Sequence, residues 1–230
     1  MKLVFLDPDT EYSRPIDQEQ IRATMPRSAW PRQRTYTIRN FDRDAHEMTI
    51  DFVVHGDRGL AGPWAARAQA GDELLILGPG GDYTPDPTAD WHLLVGDESA
   101  IPAIAAALER IDPATPAHVF IEVYGPSDVL SLPGTAEVTW IHRGLRPVGD
   151  ALVEAVEGLE FLDGTVHAFV HGEAGFVKEL RRLLKVERAV PMDRLSISGY
   201  WRLGADDEAW RAVKREWNAA IEAEELTQAR

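Results

Sequence analysis

Residues 92–111 read HLLVGDESAIPAIAAALERI, and this stretch decides the fold class. Residues 92–95 predict a buried strand that ends at Gly96, because a short apolar run stopped by glycine is typical of a strand inside a sheet. Isoleucine and leucine then recur at helical spacing, so residues 99–111 predict a helix. A buried strand that leads through a polar turn into a helix indicates a strand–helix–strand unit with a parallel sheet.

The same alternation continues towards the C-terminus. Further strands are predicted at 117–123, 137–141, 166–170 and 195–198, and further helices at 148–156, 175–185 and 206–225. Strands that alternate with helices predict a doubly wound parallel sheet covered on both faces. Such sheets bind ligands beyond the carboxyl ends of their strands.

The first ninety residues follow a different pattern. Short strands are predicted at 3–6, 33–40, 47–55 and 73–77, with a short helix within 59–69. Glycine and proline then crowd residues 78–87, which marks a connector between domains. We therefore predict a β-rich domain over 1–88 and an α/β domain over 89–230.

Composition excludes several classes of protein. The 230 residues carry 24 basic and 38 acidic side chains, a net charge of −14, and no cysteine. Nucleic-acid binding is not expected, because phosphate neutralisation needs a basic surface. Without cysteine the chain has no disulfide, thiolate metal ligand or thiol nucleophile, and we predict no metal site. Its apolar runs are short and no leader is evident, so we expect a cytoplasmic protein without membrane insertion.

The segment RTYTIR at 34–39 is the first candidate binding motif. On an extended backbone Arg34 and Tyr36 share one face, with Thr37 on the other. An aromatic ring beside a guanidinium suits a planar cofactor that carries phosphate. The alternative is an ordinary solvated strand with a tyrosine at its edge.

Two glycine-containing turns are the other candidates. Residues 54–64 read VHGDRGLAGPW and lead into a helix start near Pro63, which suits a pyrophosphate; the alternative is a glycine-rich connector. Residues 96–99, Gly-Asp-Glu-Ser, lie in the first strand-to-helix turn of the α/β domain. There the alternative is structural, with Ser99 as the helix N-cap and Asp97 and Glu98 complementing the helix dipole.

In this order, these segments resemble the siderophore-interacting proteins, which are FAD-dependent ferric-siderophore reductases of the ferredoxin-reductase-like group. The matching segments lie at 34–39, 55–64, 71–72, 96–102, 171–174 and 199–204. The resemblance implies an FAD-binding antiparallel β-barrel, followed by a parallel-sheet nicotinamide-binding α/β domain and a C-terminal helix. It implies a flavin-centred reaction that needs no protein acid, base or nucleophile.

The resemblance also implies site residues. The FAD-binding residues would be Arg34, Tyr36, Thr37, His55, Ala61, Gly62 and Trp64. The residues near the nicotinamide and the flavin mouth would be Gly96, Asp97, Glu98, Ser99, Gly172, Glu173 and Trp201, with 172–174 as a turn. NADH or NADPH would reduce FAD, and FAD would reduce Fe(III) in a siderophore, releasing Fe(II) because hard oxygen chelators hold it less well.

A basic rim would attract an anionic ferric siderophore despite the acidic total. Its predicted members are Arg143, Lys178 and Arg202, each with the alternative of being a solvated surface charge. Residues 122–128 contain acid and no base, which favours NADH as the donor, with Arg143 as an alternative partner for a 2′-phosphate.

Members of the family usually begin with further barrel strands, so we expect the first strands of the barrel to be missing here. An unpaired sheet edge would favour a homodimer, because a second chain can pair with its free backbone groups. Two other functions stay open: a flavin- or siderophore-binding protein without reductase activity, and a ferredoxin-reductase-like enzyme that uses a protein electron carrier such as ferredoxin.

Overall fold

The computed structural model describes residues 1–54, 56–57, 59–81 and 83–228. The chain forms two compact units, Met1–Asp82 and Tyr83–Arg230. The elements of the first unit are β1 (Lys2–Phe5), α1 (Gln18–Thr24), β2 (Arg32–Thr35), β3 (Asn40–Asp42), β4 (Glu47–Thr49), α2 (Ala61–Arg67) and β5 (Leu75–Leu77). The elements of the second unit are β6 (Trp91–Gly96), α3 (Ile101–Leu108), β7 (Ala117–Val123), β8 (Glu137–His142), α4 (Asp150–Glu157), β9 (Val166–Glu173), α5 (Ala174–Arg182), β10 (Leu195–Trp201) and α6 (Asp207–Gln228).

The first unit is built on antiparallel strands. Its described strands form a three-stranded sheet in the order β2-β1-β5 and a two-stranded ribbon of β3 and β4. Leu3 and Phe5 of β1 are buried in a core with Ala61 of α2. The rings of Phe52 and Trp64 pack against this core, so one aromatic cluster links the sheet to the helix.

Two strand predictions in this unit are too long. Strand β2 ends at Thr35, although the Tyr36 amide still donates to the Met1 carbonyl over 3.1 Å. Strand β4 ends at Thr49, and of the alternating residues that follow, Phe52 reaches the core whereas Val54 is 53% exposed. Alternation reports side-chain burial, which does not require a hydrogen-bonded partner strand.

Helix α1 was not predicted. The Asp17 carboxylate caps it by accepting hydrogen bonds from the amides of Glu19 and Gln20. Of its seven residues, Ile21 is the one that is buried, so the sequence shows no hydrophobic period of a helix over this stretch.

The second unit confirms the predicted α/β architecture. Its described strands form a five-stranded parallel sheet in the order β10-β9-β6-β7-β8. Helices α4 and α5 contribute Leu152 and Leu180 to the core on one face, and α3 contributes Ile104 to the core on the other. The sheet therefore lies between two helical layers, as its apolar strands require.

Strand β9 corrects the predicted turn at 172–174. Gly172 and Glu173 belong to the strand, in register with Gly199 and Trp201 of β10, and α5 begins directly at Ala174. The apolar pattern of β9 ends at residue 170. The strand itself continues, because residues 171–173 still pair with β10.

The C-terminal helix α6 confirms the predicted tail helix. Trp210 is buried and donates its indole N–H to the Gly199 carbonyl over 3.2 Å, while Glu225 pairs with Arg181 and Lys185 of the α5 region. Within the described ranges, no helix is both long and apolar enough to cross a membrane.

Candidate functional site

The carboxyl edge of the parallel sheet opens between β6 and β9. The chain runs from β6 to β7 and β8 on one side, then returns to β9 and β10 on the other. This reversal of strand order is where open α/β sheets bind their ligands. Gly96 ends β6 so close to β9 that a Cβ there would lie 2.8 Å from the His171 carbonyl oxygen.

Asp97 joins the three strands that meet at this edge. Its side chain is fully buried. Oδ1 accepts hydrogen bonds from the amide and hydroxyl of Ser99, at 2.9 and 2.5 Å. Oδ2 accepts from the Glu173 amide at 2.8 Å and from the Trp201 indole at 2.7 Å. One carboxylate thus ties the ends of β6, β9 and β10 together.

Burial raises the pKa of Asp97 to about 6, against the opposing effect of the hydrogen bonds from Ser99, Trp201 and Glu173. Its oxygens are occupied by protein donors, so Asp97 positions its neighbours and does not offer itself to a ligand. Ser99 is not a helix N-cap: Ala100 occupies that position, and the Ser99 hydroxyl turns back to Asp97.

Gly172 and Glu173 complete the packing around Asp97. Gly172 has φ +147°, and a Cβ there would lie 2.5 Å from Phe176 Cζ and 2.6 Å from Asp97 Oδ2. The Glu173 carboxylate caps α5 by accepting a hydrogen bond from the Gly175 amide at 2.5 Å. It also accepts a hydrogen bond from the Leu203 amide at 3.1 Å. These predicted cofactor residues therefore set the shape of the edge.

Glu98, which follows Asp97 in the chain, pairs with Arg143. Its carboxylate lies 3.0 Å from Arg143 Nη2, and Arg143 Nη1 lies 3.0 Å from Glu122. Glu122 is completely buried and also accepts the Gly149 amide. The guanidinium of Arg143 is thus enclosed by two carboxylates and only 14% exposed.

The other two predicted basic residues differ in their surroundings. Lys178 on α5 pairs with Glu224 over 2.7 Å. Arg202 follows β10 and lines a small cavity of about 70 Å³ together with Trp201 and Asp206. Among the residues that the structure describes, the Arg202 guanidinium forms no ion pair.

Candidate residues of the first unit gather around Phe52. The Tyr36 ring centroid lies 4.6 Å from that of Phe52, and the Trp64 centroid lies 6.1 Å from it. Arg34 precedes Tyr36 by two residues, and both side chains are half-buried, as is Thr37.

Helix α2 supplies the second part of this region. Ala61 is buried, and a Cβ on Gly62 would lie 2.9 Å from the Val53 carbonyl oxygen, so the helix start lies directly against residue 53. No side chain among the described residues caps its first turn. His55 lies outside the described residues. The half-buried Tyr36 ring suits stacking against a planar isoalloxazine ring.

Sequence reasoning missed the roles of Glu122 and His171. Glu122 is an acid inside an apolar strand, a signal that points to a buried ion pair. His171 stacks on Phe169 with ring centroids 3.9 Å apart and contacts the Ser196 hydroxyl at 2.9 Å. Burial lowers the pKa of His171 to about 3, which keeps it neutral at physiological pH.

Known families match this chain along most of its length. Residues 1–83 match the siderophore-interacting FAD-binding domain, and residues 89–204 match the siderophore-interacting protein family. The chain belongs to the siderophore-interacting proteins. An uncharacterized protein of Mycobacterium tuberculosis is 47% identical over 94% of this chain and 82% of its own length.

Two relatives carry functional names. The ferric vibriobactin reductase ViuB of Vibrio cholerae is 37% identical, over 79% of this chain and 70% of the relative. The NADPH-dependent ferric-chelate reductase of Escherichia coli is 29% identical, over 87% and 78%. Two relatives of this chain are thus named as ferric reductases.

Solved structures of siderophore-interacting proteins have the same fold. A siderophore utilization protein from T. fusca superimposes with a TM-score of 0.76 at 38% identity, covering 90% of this chain and 80% of its own. SipS from Aeromonas hydrophila gives 0.77 at 31% identity, covering 95% and 84%. The ferredoxin reductase of carbazole 1,9a-dioxygenase, at 17% identity and a TM-score of 0.59 over 86% and 58%, shares the fold.

Proposed function

We propose that this chain is an FAD-dependent reductase that moves electrons from NADH or NADPH to the iron of ferric siderophores. The match of both units to the siderophore-interacting family carries the proposal, supported by the 37% identity to a ferric vibriobactin reductase. Residues 1–88 would hold FAD and residues 89–230 the nicotinamide.

The chain's own residues bind and orient. Arg34 and the uncapped start of α2 would meet the FAD phosphates, with Tyr36 against the flavin ring and Thr37 and Trp64 beside it. Bound FAD would supply the conversion of a two-electron donor into single electrons for the metal. No side chain has to act as an acid, base or nucleophile.

The nicotinamide would enter at the edge held by Asp97. There Gly96 and Gly172 keep the strand ends close, and Glu173 and Trp201 are fixed by hydrogen bonds to the same carboxylate. Such fixed geometry favours reaction, since a donor and an acceptor held in place avoid the entropic cost of an encounter.

Ferric siderophores that carry negative charge would be attracted by Arg202. Of the three predicted basic residues it is the one whose guanidinium forms no ion pair among the described residues, whereas Arg143 and Lys178 face carboxylates. A cation without a partner contributes more to the attraction of an anion than a neutralised one.

Anaerobic half-reactions of the purified protein test the proposal. Flavin absorbance is followed after addition of NADH or NADPH, and ferric-siderophore reduction is followed by trapping Fe(II). We expect Arg202→Ala to lower kcat/KM for the ferric siderophore by about three- to tenfold, and less at high salt, without slowing flavin reduction. Arg110→Ala, which removes the same charge just after the far end of α3, is the control.

Other outcomes identify the alternative functions. A colourless protein that fails to bind added FAD would contradict the reductase. If reduced ferredoxin reduces the flavin but NADH and NADPH do not, the protein is instead an enzyme that uses a protein electron carrier. Equal loss in both half-reactions of Arg202→Ala would contradict the role proposed for Arg202.

A further inference from the structure

The carboxyl ends of β6, β7 and β8 are joined by one ion-pair network. Arg143, directly after β8, contacts Glu98 beyond β6 and Glu122 inside β7, each at 3.0 Å. The Glu122 carboxylate also accepts the Gly149 amide at 3.0 and 3.1 Å, which fixes it from the other side. The network is therefore held rigidly at the edge where the nucleotide would bind.

The charge of this network is negative. Desolvation opposes ionisation of the guanidinium, but its bonds to Glu122 and Glu98 outweigh this effect and raise the pKa of Arg143. One cation thus faces two carboxylates. The neighbouring cation, Arg146, is itself paired with Glu154 over 2.6 Å.

A nucleotide bound across the strand ends brings its adenosine ribose close to the end of the second strand. Sites for NAD use a carboxylate there to accept the ribose 2′-OH, whereas sites for NADP place arginine or lysine against the 2′-phosphate. Arg143 directly follows β8, the neighbour of the second strand, and both of its outer nitrogens donate to carboxylates. A 2′-phosphate would have to displace Glu98 or lie beside an excess negative charge.

Displacing Glu122 is harder still. Its side chain has no exposed surface, and a buried carboxylate that loses its partner is strongly destabilising. Glu98 is 21% exposed, so it is the carboxylate of this network that a bound nucleotide would meet.

We infer that this network makes the nucleotide site select NADH over NADPH, with Glu98 as the residue that discriminates between them. The inference rests on the proposed function, because it concerns the donor of that reaction. Its physical basis is that the Arg143 guanidinium already pairs with two carboxylates and so attracts a phosphate only weakly.

Two measurements on the flavin-loaded full chain test it. Stopped-flow reduction of the flavin gives kcat/KM for each nucleotide, and isothermal titration with NAD⁺ and NADP⁺ gives the binding preference without turnover. We expect NADH to exceed NADPH by at least about tenfold in kcat/KM, with the same order in binding. A ratio below about threefold, or a preference for NADPH, would overturn the inference and leave the proposed function intact.

Glu98→Gln tests the discriminating residue. Removing one carboxylate charge frees half of the Arg143 guanidinium, so the ratio of NADPH to NADH in kcat/KM and in binding rises by at least about fivefold. Glu187→Gln removes the same charge from the exposed pair with Arg182 at the C-terminal end of α5, and its ratio stays within about twofold of the unaltered protein. An unchanged ratio in Glu98→Gln would overturn the role of Glu98. Failure of both nucleotides to reduce the flavin would overturn the inference and the proposed nicotinamide donor together.

Discussion

Replacement of Gly172 by alanine tests the close packing at the sheet edge. The backbone there has φ +147°, a conformation that costs an L-residue about 1–3 kcal/mol. The new methyl group would also lie 2.5 Å from Phe176 Cζ and 2.6 Å from Asp97 Oδ2. Phe176 is 2% exposed and packs in the core of the second unit, so overpacking adds about 1–3 kcal/mol.

Together these terms lower the free energy of unfolding of the second unit by about 2–6 kcal/mol. At about 3 °C per kcal/mol, Tm falls by about 6–18 °C. Urea unfolding followed by circular dichroism and tryptophan fluorescence measures the loss directly. Because Asp97 shifts with the new methyl group, the hydrogen bond from Trp201 weakens as well.

Gly125→Ala is the matched control for this substitution. Gly125 follows β7 at the same edge of the sheet, has φ −161°, and has no atom within 4 Å of a Cβ built there. We expect its effect to stay within about 0.5 kcal/mol. A loss of less than about 1 kcal/mol in Gly172→Ala would refute the packing described around Asp97.

Three further predictions concern charges in the second unit. The pKa of Asp97 is raised by burial from 3.8 to about 6 in the fold, so its contribution to stability falls by about 2 kcal/mol as pH rises from about 4 to about 6. Urea unfolding across that range should show the fall, and Asp97→Asn should remove it. Trp201→Phe deletes a hydrogen bond that lowers this pKa, so the same fall should extend to higher pH. Glu122→Gln leaves Arg143 without its buried partner and should cost about 3 kcal/mol in urea unfolding at pH 7, against less than about 1 kcal/mol for the exposed Glu154→Gln; equal losses would contradict the burial of the pair.

The α/β half of the fold was predictable because its elements are long and apolar. Residues 93–95 and 119–121 are continuous hydrophobic runs, and such runs indicate a strand without knowledge of its neighbours. The helices between them show the helical period that marks a buried stripe. Each of these features depends only on neighbouring residues in the chain, so it can be predicted from the sequence.

The β-rich half was less predictable because its strands are short. Strands β3 and β4 have three residues each, all exposed. The alternation over 47–55 predicted β4 but placed its end too late. Helix α1 is similarly short, and its clearest signal is the capping carboxylate of Asp17. Here pairing between distant residues, such as Leu3 with Arg34 and Ile76, determines the structure.

The sequence by itself determined the order of the two architectures, the family, and the segments that form the sheet edge. The tertiary structure decided what each polar residue there does. Asp97 and Glu98 are adjacent in the chain, yet one is buried among the donors of Ser99, Glu173 and Trp201 and the other reaches Arg143. Spacing along a chain cannot separate these two roles, because each depends on charges and donors that other strands bring to the edge from far along the sequence.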